Sequence, residues 1–248
     1  VIPLATDAVT ISIEEVYKHP SCLERNMLKA LNNLCRDVDD TSVNTTIEHI
    51  VNEYAERVCI DSNINLCADT LKAYDESTYI HSVRVSILCL AIARILNYTK
   101  EAMAELGIAG LLHDIGKELV PVEIITKEDI LTDIEMDIVK VHPAMSAYYL
   151  KEKYKYIDNQ VLLGVYQHHE RLDGSGYPRQ LKGDEIGEAG RIIAIADVFE
   201  AYSSKRSYHQ QRTLKETVDF IRSNKGLDQY IVEKFIQHID FSTGTVTF

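Results

Sequence analysis

An all-α bundle is the fold this sequence predicts, on three observations. Apolar residues recur at helical spacing along most of the chain, and runs that alternate apolar with polar in the strand manner are few. The 248 residues are 46% apolar and 26% charged, the balance of an ordinary globular chain. Taken in order, a helix is predicted over 21–36, with Ser21 as N-cap and Leu23, Met27, Leu31 and Leu34 on one face. A second covers 43–59 through Ile47, Ile50, Tyr54 and Val58, and 61–65 is a polar break. From 77 to 97 a long helix is apolar on more than one face, with Ile80, Val83, Ile87, Leu90 and Ala91 on one stripe and Val85, Leu88 and Ile92 on another. Such a helix belongs at the centre of a bundle. Further helices are expected over 100–112, 133–154, 158–170, 190–203, 214–224 and 227–239, and Gly116 is read as permitting the sharp end of the helix before it. The stretch 171–188 is irregular and rich in glycine, and a loop of that length inside a compact domain is usually functional.

Lys plus Arg total 26 and Asp plus Glu 38, a net charge of −12, which argues against a general grip on nucleic-acid backbone. Residues 1–70 carry 12 acidic and 5 basic side chains, a net of −7, and two of the nine histidines, so they read as a helical attachment without chemistry of its own. The five cysteines, at 22, 35, 59, 67 and 89, are odd in number and include no Cys-x-x-Cys pair. They read as reduced thiols of a cytoplasmic protein. The most apolar run, 87–96, contains Arg94 and falls short of the roughly 20 residues of a membrane span.

Five histidines, His81, His113, His142, His168 and His169, lie on or at the ends of predicted helices. Singly, each reads as a packed or surface residue. Together with Asp114 in LLHDIGK and Asp197 in IIAIADVF, both in apolar helical sequence, they would leave several buried polar groups unpaired, at several kcal/mol for a carboxylate. A divalent cation satisfies them all at once. His19, His49 and His238 have no such surroundings and are assigned to surface or packing roles.

These segments resemble the HD-GYP phosphodiesterases within the HD metal-dependent phosphohydrolases: His81 to Val85, GLLHDIGK at 110–117, His142-Pro143, HHERLDGSGYP at 168–178 and GRIIAIADVFEAY at 190–202. The resemblance covers about 71–240. It implies an HD-type helical bundle with a smaller N-terminal attachment, bounded as 1–70, 71–242 and a tail at 243–248. The activity implied is hydrolysis of cyclic di-GMP to linear pGpG or GMP through a hydroxide held by two divalent metals, iron or manganese, in a bacterial cytoplasm. Carried over by position, His81, His113, Asp114 and Asp197 would hold one ion and Asp114, His142, His168 and His169 the other, with Asp114 bridging. Asp114 and Lys117 would be catalytic. Lys117, Tyr177, Arg206, His209, Gly174 and Gly176 would meet the substrate, while Glu170 and Asp173 would orient histidines or the loop. The expected partner is the small cyclic dinucleotide rather than a nucleic-acid polymer, with room for a homodimer or a signalling protein.

The chain departs from the family pattern at four places. Ser77 stands where trinuclear members carry a ligating glutamate, so two metals are expected rather than three. Ser146 replaces a common glycine, Glu200 replaces an aspartate, and KRSYH lacks its proline at Ser207. The last two are read as touching substrate grip, which keeps a mixed cyclic GMP-AMP substrate, or a dinucleotide-binding module of weak activity, as alternatives.

Overall fold

The computed structural model describes residues 73–153, 158–204, 212–240 and 245–246. The helices expected over 21–36 and 43–59, together with Arg206 and His209, lie outside the described residues. Helix α1 (Glu76–Ile95) is capped by Asp75, whose carboxylate accepts from the Thr78 N–H at 2.6 Å. It is buried on most of its circumference, including Val83, Val85, Ile87, Leu88, Leu90 and Ile92, though Ile80 of the expected stripe is exposed. By length and composition α1 could cross a membrane, but 72% of its apolar window is buried by its neighbours, as befits the central helix of a bundle. Asn97, in the left-handed region at φ 59°, turns the chain after it.

Helix α2 (Lys100–Leu112) packs along α1. Small residues bring the two backbones close: a Cβ on Gly110 would meet Cys89 Sγ at 2.9 Å and Ser86 Cα at 3.0 Å, and the Ser86 hydroxyl donates to the Gly107 carbonyl. Cys89 is the buried free thiol expected from the sequence, and burial pushes its pKa up. A 3-10 turn (Ile115–Leu119) and a short helix α3 (Val122–Ile125) lead to α4 (Asp133–Val139) and α5 (His142–Lys153). Helix α6 (Asn159–Gln167) packs on α2, α5 and α7 (Glu188–Ser203), and α7 lies against α1. Helices α8 (Leu214–Ser223) and α9 (Gln229–Ile236) complete the core, with Phe235 edge-on to Phe199. Two residues each of β1 (Ile239–Asp240) and β2 (Thr245–Val246) pair antiparallel, a minor addition to a helical fold.

Two expectations are corrected. The helix predicted over 133–154 is two helices, broken at Lys140 and Val141. Pro143 has no N–H to give the Val139 carbonyl four residues back, and the His142 ring Nδ1 takes that carbonyl at 2.7 Å instead. Gly116 does not end α2 by a left-handed turn, since the chain passes directly into the 3-10 turn. Its smallness serves packing: a Cβ there would collide with the His142 carbonyl and the backbone of Ser146. Ser146 fits this contact, its hydroxyl accepting from the Gly116 N–H at 2.8 Å, so the departure from glycine is a tie between α5 and the 3-10 turn.

Candidate metal centre

Helix ends aim the imidazoles. His113 and His168 follow the last residues of α2 and α6, where terminal carbonyls lack helical partners. The Nδ1–H of His113 is placed to donate to Gly110 O at 2.7 Å, and that of His168 to Val165 O at 2.6 Å. His142 does the same to Val139 O. A neutral imidazole carries one proton, so these bonds put it on Nδ1 and leave each Nε2 with a bare lone pair turned inward. His142 Nε2 and His168 Nε2 lie 3.3 Å apart, and His142 Nε2 lies 3.1 Å from Asp114 Oδ1, which has no hydrogen-bond donor. Nor has His113 Nε2. Lone pairs at these separations repel unless a cation lies among them, and neutral imidazoles beside carboxylates are the donor set that divalent transition metals take. The residues fit such an ion.

Asp114 faces both sides of the cluster. Its Oδ1 looks toward His142 and His168, at 3.1 and 3.9 Å, and its Oδ2 toward His113 and His81, at 3.3 and 3.8 Å. The ligand atoms fall into two tight groups: Asp114, His142, His168 and His169 in one, and His81, His113 and Asp197 in the other. The resemblance assigns Asp114 to both groups; here each of its two oxygens faces one of them. Burial holds His142 below the usual histidine range, and holds His168 and His169 well below it. His81 behaves differently. Burial pulls its pKa down, but hydrogen bonds to Asp197 and Glu200 outweigh it and lift the ring to about 9, so without metal a proton sits where a cation would. Burial likewise works against ionisation of Asp114 and Asp197. The His113 ring and the Lys117 ammonium beside the first, and the His81 hydrogen bond with the His169 ring beside the second, outweigh it and hold both well below the carboxylate range.

Lys117 lies on the rim, its Nζ 2.5 Å from Asp114 Oδ2 and its side chain 20% exposed. The loop after α6 closes the other side. Glu170, buried, accepts from the N–H groups of Arg179 and Leu181 at 2.6 and 2.9 Å, and Asp173 accepts from the Ser175 N–H and hydroxyl. Both shape the loop. Gly174 is at φ 81°, and Gly176 lies against the backbone of His169, Glu170 and Arg171, with no space for a side chain. Tyr177, its N–H on the His169 carbonyl, stacks its ring on the His169 imidazole at 4.6 Å. Ser77, where a third-metal ligand would stand, is exposed and turns its hydroxyl to Asp75.

A family model described as HD domain matches residues 63–231 of the chain. The chain belongs to the HD domain family. Within it, the HHERLDGSGYP segment and relatives named as cyclic di-GMP phosphodiesterases put this HD domain in the HD-GYP branch. A cyclic di-GMP phosphodiesterase of Pseudomonas aeruginosa is 32% identical over 96% of the chain and 58% of its own length. A 3′3′-cGAMP-specific phosphodiesterase of Vibrio cholerae is 39% identical over 63% of the chain, and a cyclic di-GMP phosphodiesterase of Thermotoga maritima 37% identical over 66%. This HD domain spans 36% and 45% of those two relatives. The solved structure of an HDG"Y"P protein from Bdellovibrio bacteriovorus shares the fold, with a TM-score of 0.57 over 92% of this chain and 72% of that one at 18% identity.

The structure gives Glu200 different surroundings from those its place in the sequence suggests. Glu200 was expected to bear on substrate grip, yet it is buried and bonded to His81 Nδ1, Arg84 and Ser204. The signal was available: Glu200 follows Asp197 by three residues and Arg84 follows His81 by three, so each pair shares a helix face.

Proposed function

We propose that this HD domain is a metal-dependent phosphodiesterase that hydrolyses cyclic dinucleotides, cyclic di-GMP foremost, to linear pGpG or GMP. The observation that carries the reading is the convergence of bare imidazole nitrogens on Asp114, above all His142 Nε2 and His168 Nε2 at 3.3 Å with no proton to share. His81, His113, Asp114 and Asp197 would hold one divalent ion and Asp114, His142, His168 and His169 the other, and imidazole with carboxylate suits iron or manganese. Two such ions, when bound, supply Lewis-acid polarisation of a phosphodiester and an activated water.

The chain's own residues supply the remainder. The backbone carbonyls of Gly110, Val139 and Val165 fix three imidazoles in one tautomer, so the site needs little reorganisation. Lys117 presents an ammonium at the rim, within a side-chain rotation of Asp114 Oδ2, where a phosphate oxygen can take it. Tyr177 offers a ring already stacked on His169, carried on a loop whose Gly176 packs directly on the backbone of His169, Glu170 and Arg171. Arg206 and His209 complete the phosphate grip in this reading. The substrate class is supported by the names of the relatives, which include both cyclic di-GMP and 3′3′-cGAMP enzymes.

The test is anaerobic purification with metal analysis, followed by product analysis on cyclic di-GMP and 3′3′-cGAMP. Two metal ions per chain and release of linear dinucleotide or GMP are expected, abolished by a chelator. Asp114→Ala should lose both metals and all turnover, because each of its oxygens serves a different group of ligands. Intact, metal-loaded protein that turns over no cyclic dinucleotide would overturn the proposal.

A further inference from the structure

The four helix-borne imidazoles of the site do not share one kind of support. His113, His142 and His168 give Nδ1 to neutral backbone carbonyls, whereas His81 gives Nδ1 to the Glu200 carboxylate. Glu200 is itself held. Its other oxygen accepts from Arg84 Nη1 at 3.1 Å and from the Ser204 hydroxyl, and Arg84 also donates to Ser204 Oγ at 3.0 Å. The residue is 4% exposed. His81 and Arg84 on α1 thus face Asp197 and Glu200 on α7, with the His81 ring between the two carboxylates: Nδ1 on Glu200, Nε2 3.1 Å from Asp197 Oδ1. An ionised carboxylate can only accept, so the Glu200 contact requires a proton on Nδ1 and reserves Nε2 for whatever cation lies beside Asp197.

From this geometry we infer that Glu200 is a positioning residue for the metal ion held by His81, and that it sets the affinity of that ion separately from the ion held by His142, His168 and His169. A charged acceptor on Nδ1 does two things a carbonyl does less well. It fixes the ring plane from a rigid helix, and it pushes electron density toward Nε2, making the imidazole a stronger donor to a dication. The glutamate has one methylene more than the aspartate found at this position in the resembled family. That reach carries its carboxylate from α7 to Nδ1 of a ring on α1 while the other oxygen stays with Arg84 and Ser204. Arg84, at 40% side-chain exposure, braces the carboxylate from the solvent edge.

The inference rests on the metal-centre reading above, and its test is metal binding without substrate. Apo protein is titrated anaerobically with Mn²⁺, following free Mn²⁺ by electron paramagnetic resonance, for the wild type, Glu200→Gln, Glu200→Ala and Arg84→Ala, with the fold of each apo variant checked by circular dichroism. The wild type should bind two ions. Glu200→Ala should keep one at wild-type affinity and weaken the other about 10–100-fold, the usual cost of removing a partner of a ligating histidine. Glu200→Gln, which retains an oxygen to accept from Nδ1–H, should fall between the two, and Arg84→Ala should weaken the same ion by less. A general loosening of the bundle would weaken both ions together and would not be rescued by glutamine, so that outcome overturns the inference. Unchanged isotherms in Glu200→Gln and Glu200→Ala overturn it as well and leave the metal-centre reading standing. A wild type that binds no Mn²⁺ overturns both. If Glu200→Ala does not fold, the near-isosteric glutamine variant decides the matter by the same criterion.

Discussion

Glu118 shows what a carboxyl costs at the edge of this site when nothing meets it. It follows Lys117 on the 3-10 turn, its Oε1 is buried with no hydrogen-bond partner, and burial lifts its pKa to about 7. The unfolded chain releases this proton near the ordinary glutamate value of 4.5, so between there and 7 the folded state holds the extra proton and stability falls as pH rises. Above 7 the buried charge is a standing penalty. Glu118→Gln should therefore leave the melting temperature unchanged at pH 4.5 and stabilise the protein at pH 8.5. The gain should be on the order of 1–2 kcal/mol, the full linkage value being discounted for the partial exposure of the side chain. Equal shifts at both pH values would show that packing, not charge, decides the effect. At this scale the convergence of His81, His113, Asp114, His142, His168, His169 and Asp197 was legible from residue type and motif, because adjacent metal-binding residue types in apolar sequence have few other uses. The supporting partners were not. That His113 and His168 would give Nδ1 to carbonyls three residues back depends on each sitting at a helix end, and that Glu200 would reach His81 depends on two helices meeting 119 residues apart in sequence.

Among the elements, the loop between α6 and α7 does the most with the least secondary structure. Glu170 ties its middle, Gln167 holds its far end through the Gly187 N–H and the Glu185 carbonyl, and the Leu172 N–H reaches the Gly226 carbonyl on the neighbouring turn. Its glycines are not equivalent. A methyl at Gly176 would strike the backbone of three residues, including the His169 carbonyl that holds Tyr177, while one at Gly183 meets nothing within 4 Å. Gly176→Ala should cost about 1–3 kcal/mol, the usual range for overpacking, and should abolish turnover by lifting Tyr177 off His169. Gly183→Ala, at φ 48°, should cost roughly 1–2 kcal/mol of backbone strain and leave turnover intact. Thermal melts beside product release on cyclic di-GMP separate the two. Equal loss of activity in both variants would mean that the loop acts only through its stability. The sequence marked this loop as functional by its length and glycines. Period alone could not mark the break at Lys140 and Val141, since apolar spacing runs through it; Pro143 held that information, four residues after the carbonyl it cannot satisfy.

For the molecule as a whole, the helical bundle was readable because α1 is apolar on several faces and must be surrounded, and the structure surrounds it with α2, α7 and α9. What periodicity could not convey is that this core is built around a polar centre. His113, Asp114, His142 and His168 are at most 1% exposed, as dry as the leucines beside them. Without a cation, the bundle holds the facing lone pairs of His142 and His168 in its interior, an arrangement that opposes folding. Metal binding and global stability are therefore linked. A ligand that binds only the folded state adds about 2.7 kcal/mol at a hundredfold excess over its Kd, for each site. In a chain of this size each kcal/mol moves the melting temperature by roughly 2–4 °C. Mn²⁺ added to the apo protein should then raise Tm by roughly 5–10 °C for one occupied site and by more when both fill, and a chelator should reverse it. In Asp114→Ala the shift should vanish, and the apo variant should melt below apo wild type, because the neighbouring imidazoles and Lys117 outweigh burial and hold this carboxylate well below its usual range, so its charge favours the fold. A metal-induced shift that survives in Asp114→Ala would place the stabilising ion elsewhere on the chain and break the link between the centre and the fold.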